Sequence, residues 1–168
     1  KAALLLLLLL VALLLSGTLK IPLLTQTYAQ FTLPLPGAEQ FQQSLFQLVP
    51  FDPSRGEEGV SLQGVLLIGL LVLIGISSWL GFEKIHTGFN RWTWIALGLA
   101  ATTLLVAALR FTPHAGGMEI AFTGRVFAVG LALWAAGRYA RRLNPEDWQA
   151  WLWESWRFVK QIFLLLVA

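Results

Sequence analysis

Apolar positions in this chain fall in long unbroken runs, with neither the alternation of a half-buried strand nor the stripe of a surface helix. Three runs, at about 60–81, 92–109 and 118–137, come close to the roughly 20 residues that a helix needs to cross the hydrocarbon core of a bilayer. Two shorter runs at 2–19 and 158–168 read as truncated crossings. In lipid, only helices and closed barrels satisfy every backbone polar group, and these runs lack barrel alternation. The pattern therefore predicts an all-α protein: a polytopic transmembrane helical bundle of about five crossings, plus one interfacial amphipathic helix at 145–157.

The polar stretches divide these runs. Segment 20–59 holds Pro22, Pro34, Pro36, Pro50 and Pro53, and reads as a long extramembrane loop with a short amphipathic helix over 37–49. It is either an ordinary loop lying on the interface or a re-entrant element, because irregular backbone at membrane depth must line a cavity. Residues 2–15 are almost pure leucine and alanine, and fit either a crossing or the apolar region of a signal peptide. Residues 110–117, with Pro113, Gly116 and Gly117, read as a tight turn between antiparallel neighbours.

Within the crossings, small residues suggest where backbones approach. Gly98 and Thr102 are four apart, a small-xxx-small pair suited to close helix contact, and Ser77 and Ser78 read as packing residues. Arg125 is the one charge inside a predicted span, seven residues into a helix expected to start near Met118, or roughly 10 Å along it. An intramembrane arginine marks a substrate site or a buried partner. The alternative is a long side chain snorkelling to the nearer interface. Trp79, Trp92 and Trp94 flank the loop at 82–91 as interfacial anchors, and Trp148, Trp151 and Trp156 do the same on the helix at 145–157. That helix has its own start signal. Asn144 caps, Pro145 suits the first turn, and Glu146 and Asp147 favour the positive dipole end. Its tryptophans suit the headgroup layer, with an aromatic substrate platform as the other reading.

Composition sharpens this picture. Hydrophobic residues are 57% of the chain and charged residues 12%, with a net charge of +3. The basic residues sit beside apolar runs, where they set topology, so a nucleic-acid partner is not expected. If 138–157 is cytoplasmic, eight Lys and Arg residues fall on that side and three (Lys20, Arg55, Arg110) on the other. The loop at 20–59 is then extracytoplasmic, and the protein is a multi-pass component of a bacterial inner membrane. There is no cysteine, and His86 and His114 lie on different loops, so no metal or cofactor is expected and no catalytic set is visible. The chain starts at a lysine and its single methionine is Met118, so it reads as a piece of a longer protein.

The stretch Glu154-Ser155-Trp156-Arg157-Phe158-Val159-Lys160-Gln161-Ile162-Phe163, followed by Leu164-Leu165-Leu166-Val167, resembles a bacterial family of predicted permeases related to organoarsenical-efflux permeases. The resemblance implies an inner-membrane efflux permease in which a tryptophan-rich amphipathic stretch leads into a core helix. It also implies that the family's cysteine-containing substrate motif lies outside these residues. The function expected is the N-terminal part of a permease for a small solute. The alternative is a non-catalytic integral membrane subunit or assembly factor. Its partners are the lipid bilayer and either the rest of the polypeptide or other membrane subunits.

Overall fold

A computed structural model describes residues 21–49, 59–114 and 116–167, together with the isolated positions 8, 11, 12 and 15. In chain order the elements are α1 (Pro22–Thr25), β1 (Thr27–Leu33), α2 (Ala38–Leu48), α3 (Leu62–Phe82), a 3-10 turn (Ile85–Thr87), α4 (Arg91–Ala108), β2 (Arg110–His114), β3 (Gly117–Thr123), α5 (Gly124–Ala140) and α6 (Pro145–Val167).

The two most apolar runs form a helical hairpin. Helix α3 has 21 residues and α4 has 18, and both are long and apolar enough to cross a membrane. At 1.5 Å per residue they span about 31 and 27 Å. Ser61 starts α3 by accepting a hydrogen bond from the Gly64 amide at 3.0 Å. Asn90 starts α4 in the same way, accepting from the Thr93 amide at 2.9 Å. The turn between them closes on one carbonyl: Gly81 O accepts from Asn90 Nδ2 at 3.0 Å and from Thr93 Oγ1 at 3.3 Å. Gly81 has to be glycine, because a Cβ there would lie 2.6 Å from the Thr93 amide nitrogen. Thr93 and Ile85 are fully buried beside it.

The bundle expectation is overturned by a three-stranded antiparallel sheet in the order β1-β3-β2. The run at 118–137 is not one crossing. Its first part is the central strand β3 and its remainder is α5, only 17 residues long. The expected tight turn at 110–117 is the β2–β3 hairpin, with Arg110 opposite Ala121 and His114 opposite Gly117. The expected loop at 20–59 contributes α1, β1 and α2, and residues 50–58 fall outside the described set. Helix α2 does form where the amphipathic pattern predicts it. The expected interfacial helix at 145–157 and the crossing at 158–168 merge into the single helix α6. The crossing at 2–19 lies outside the described residues apart from positions 8, 11, 12 and 15. The described chain is thus a mixed α/β structure with two helices able to span a bilayer, in place of a five-crossing bundle.

Hydrogen bonding and close packing tie the sheet to one end of the hairpin. The buried Gln42 of α2 donates to Val60 O at 3.1 Å and accepts from the Leu62 amide at 2.7 Å, bracketing the start of α3. Helix α1 crosses the start of α5 so closely that a Cβ on Gly124 would overlap the Leu23 carbonyl. The hairpin itself keeps a wide apolar exterior, with Ile68, Leu71, Val72 and Ile76 all more than half exposed. Contact with acyl chains accounts for such a surface, whereas contact with water would penalise it.

Candidate functional site

The polar chemistry collects at the two ends of the hairpin, and the ends differ. At the sheet end, β2 leaves α4 and β3 runs straight into α5, so residues distant in sequence surround a cavity of about 180 Å³. Its polar lining consists of Thr25, Gln63, Arg110, Thr123 and Arg125. Gln63, in the first turn of α3, donates to Val106 O at 2.9 Å and to Leu109 O at 2.8 Å. Thr123 Oγ1 donates to Ala108 O at 3.3 Å. These bonds satisfy carbonyls that α4 would otherwise leave open at its C-terminus. Thr123 is also the residue before α5, but with its hydroxyl directed to α4 it makes no cap bond to α5.

Among the described residues the two arginines on this cavity have no such partners. Arg125 lies in the first turn of α5, which begins at Gly124, and not seven residues inside a helix as the sequence suggests. Its Nε is buried and has no hydrogen-bond partner among the described residues. Arg110 opens β2, is exposed, and lines the same cavity. Among the described residues no carboxylate lines it.

The turn end is electrostatically closed. Lys160 Nζ of α6 sits 2.5 Å from Glu83 Oε1, just past the end of α3. Trp156 Nε1 donates to the same oxygen at 3.4 Å. The ammonium lies 5.3 Å from the Trp153 ring, 5.6 Å from Trp156 and 6.0 Å from Trp79, within cation–π range of all three. The Lys160 hydrogen bond holds the Glu83 carboxyl below its ordinary value, against the opposing effect of burial and with help from Trp156. Helix α6 follows the turn along its length. Trp148 shares an apolar hollow with Phe89 and Trp94, Trp153 packs on His86 with ring centroids 4.4 Å apart, and Trp156 packs on Phe82 at 5.9 Å.

Several sequence-derived sites therefore take different places. Trp156 is only 8% exposed and is a packing residue of the latch, whereas Trp79, Trp92, Trp94 and Trp151 keep exposed faces. Trp148 is half-buried in the hollow. Gly98 faces open space, and the Thr102 hydroxyl bonds to Gly98 O at 2.9 Å, so this pair packs nothing within the described residues. The close helix approach is at Gly81. Sequence reasoning missed Gln63, Glu83 and Lys160 as interacting groups. The signal for Gln63 was an amide in the first turn of an otherwise apolar helix. Among the described residues no three histidine or acidic side chains converge as a metal site. No family model, curated protein or solved structure matches this chain.

Proposed function

We propose that this chain is a membrane module in which α3 and α4 cross the bilayer of a bacterial inner membrane, α5, 17 residues or about 26 Å long, carries the chain back from the sheet side to the turn side, the sheet lies outside and α6 lies along the cytoplasmic face. Charge supports that orientation. Among the described residues, Lys84, Arg91, Arg138, Arg141, Arg142, Arg157 and Lys160 belong to the turn end, against Arg110 and Arg125 at the sheet end. We propose further that the module is the lead-in of a small-solute efflux permease whose solute path lies in other residues. The observation that carries this is the continuity of α6. Its tryptophan-rich half is fastened to the hairpin through Glu83, and the same helix runs on into the apolar stretch Ile162–Val167 that resembles the entry to a permease core.

A specific observation favours the second reading, a non-catalytic membrane subunit. Between its ends the hairpin directs its hydroxyls inward to its own backbone. Ser77 bonds to Leu73 O at 2.7 Å, and Thr103 bonds to Leu99 O at 2.8 Å. Both hydroxyls are thereby used within their own helices.

Uptake of a trivalent methylarsenical into everted vesicles containing the full protein separates the two. The permease reading expects uptake above control vesicles, and a reduction in a Glu83→Gln variant that still inserts. Uptake equal to control, together with a stable co-purifying membrane protein, would replace it with the subunit reading.

A further inference from the structure

We infer that the Arg110–Arg125 cavity binds one tetrahedral oxyanion, a phosphate or phosphate ester. A buried polar atom with no partner is rare and calls for a ligand, water or ion, and Arg125 Nε is such an atom. A second guanidinium, Arg110, lines the same cavity, so an anion held there would meet two cations and would give the buried Nε a partner. The remaining lining suits an anion. Gln63 and Thr123 already donate to α4 carbonyls at this end, and among the described residues the cavity holds no carboxylate to neutralise the guanidinium groups.

Arginine's planar fork matches phosphate oxygens in bidentate fashion. At about 180 Å³ the cavity accommodates a phosphate group. The phosphate has two possible sources, a free anion or the headgroup of an anionic lipid. The inference does not depend on whether the hairpin serves a permease or a partner complex.

The test uses the full chain in a phosphate-free neutral detergent. Inorganic phosphate, phosphatidylglycerol and phosphatidylcholine are added separately, and the thermal unfolding midpoint is followed. Inorganic phosphate or phosphatidylglycerol should raise the midpoint saturably, and phosphatidylcholine should not. A response to phosphatidylglycerol alone assigns the lipid source, and a response to inorganic phosphate assigns the free anion. Arg125→Gln and Arg110→Gln should each weaken binding about tenfold or more, as loss of a charge-assisted hydrogen bond predicts. Arg110 is exposed, so its variant keeps the test valid if Arg125→Gln fails to fold. No midpoint shift in the wild type, or an undiminished shift in Arg110→Gln, would overturn the inference.

Discussion

The two ends of the helical hairpin handle charge in opposite ways. At the turn end, the Lys160 ammonium meets the Glu83 carboxylate and lies over three tryptophan rings, one of which, Trp156, also donates to Glu83. At the sheet end, neutral amide and hydroxyl groups are satisfied, while the buried Arg125 Nε has no partner among the described residues and Arg110 lines the same cavity. The first arrangement holds helices together, and the second is complementary to something outside the chain. Local residue type does not distinguish them, since both ends carry cations beside apolar helices. Geometry does: α6 brings a carboxylate's counter-charge to the turn, and among the described residues no element brings an acid to Arg125.

The comparison breaks most sharply at Trp156. Replacing this buried ring with alanine removes its packing on Phe82 and Trp79 and its bond to Glu83, and should cost about 4 kcal/mol. Thermal unfolding and proteolysis of α6 would register the loss. Next comes Gly81→Val, whose Cβ would meet the Thr93 and Trp92 backbone and should cost about 3 kcal/mol. Gly98→Val faces open space and is the matched control, expected to leave the unfolding midpoint near the wild-type value.

A smaller effect of opposite sign is expected at the other end. Arg125→Met removes a donor without a partner, so in phosphate-free detergent it should stabilise the protein by about 1 kcal/mol, a rise of roughly 2–4 °C in midpoint. A fall in midpoint would mean that Arg125 already has a partner.

The smallest effect is at Glu83. Glu83→Gln weakens a part-exposed pair and should cost about 1 kcal/mol or less, with high salt lowering it further. The folded-state carboxyl titrates below its unfolded value. The stability it contributes is therefore fully present above the ordinary carboxylate range and is lost as pH falls through the lowered value. A pH titration of the midpoint should show an acid-side decline that Glu83→Gln reduces.

What the sequence disclosed follows from how each region is buried. Helices α3 and α4 were legible at 60–81 and 92–109 because a long apolar run has one economical form in lipid, and the structure adds the caps at Ser61 and Asn90. The sheet was not legible. Strand β3 is central and substantially buried, so its side chains do not alternate, and its apolar residues run directly into those of α5. The break falls at Thr123-Gly124, where close contact with α1 requires the glycine. Strand β2 was hidden by Pro113, which sits on the sheet edge where no ladder donor is needed. Arg125 was identified as the notable charge, but its depth was misjudged because the helix start was placed at Met118. The Glu83–Lys160 pairing, between residues 77 apart, left no local trace.

In the proposed orientation the sheet and the turn lie on opposite sides of a bilayer, and α5 joins the two sides between Thr112 and Arg142. Because the sequence lacks cysteine, single substitutions report cleanly. Thr112→Cys on β2 and Arg142→Cys beyond α5 should be tested with a membrane-impermeant maleimide in right-side-out and everted vesicles. The account predicts labelling of position 112 only from outside and of position 142 only from the cytoplasmic face. Labelling of both positions from the same side would contradict it.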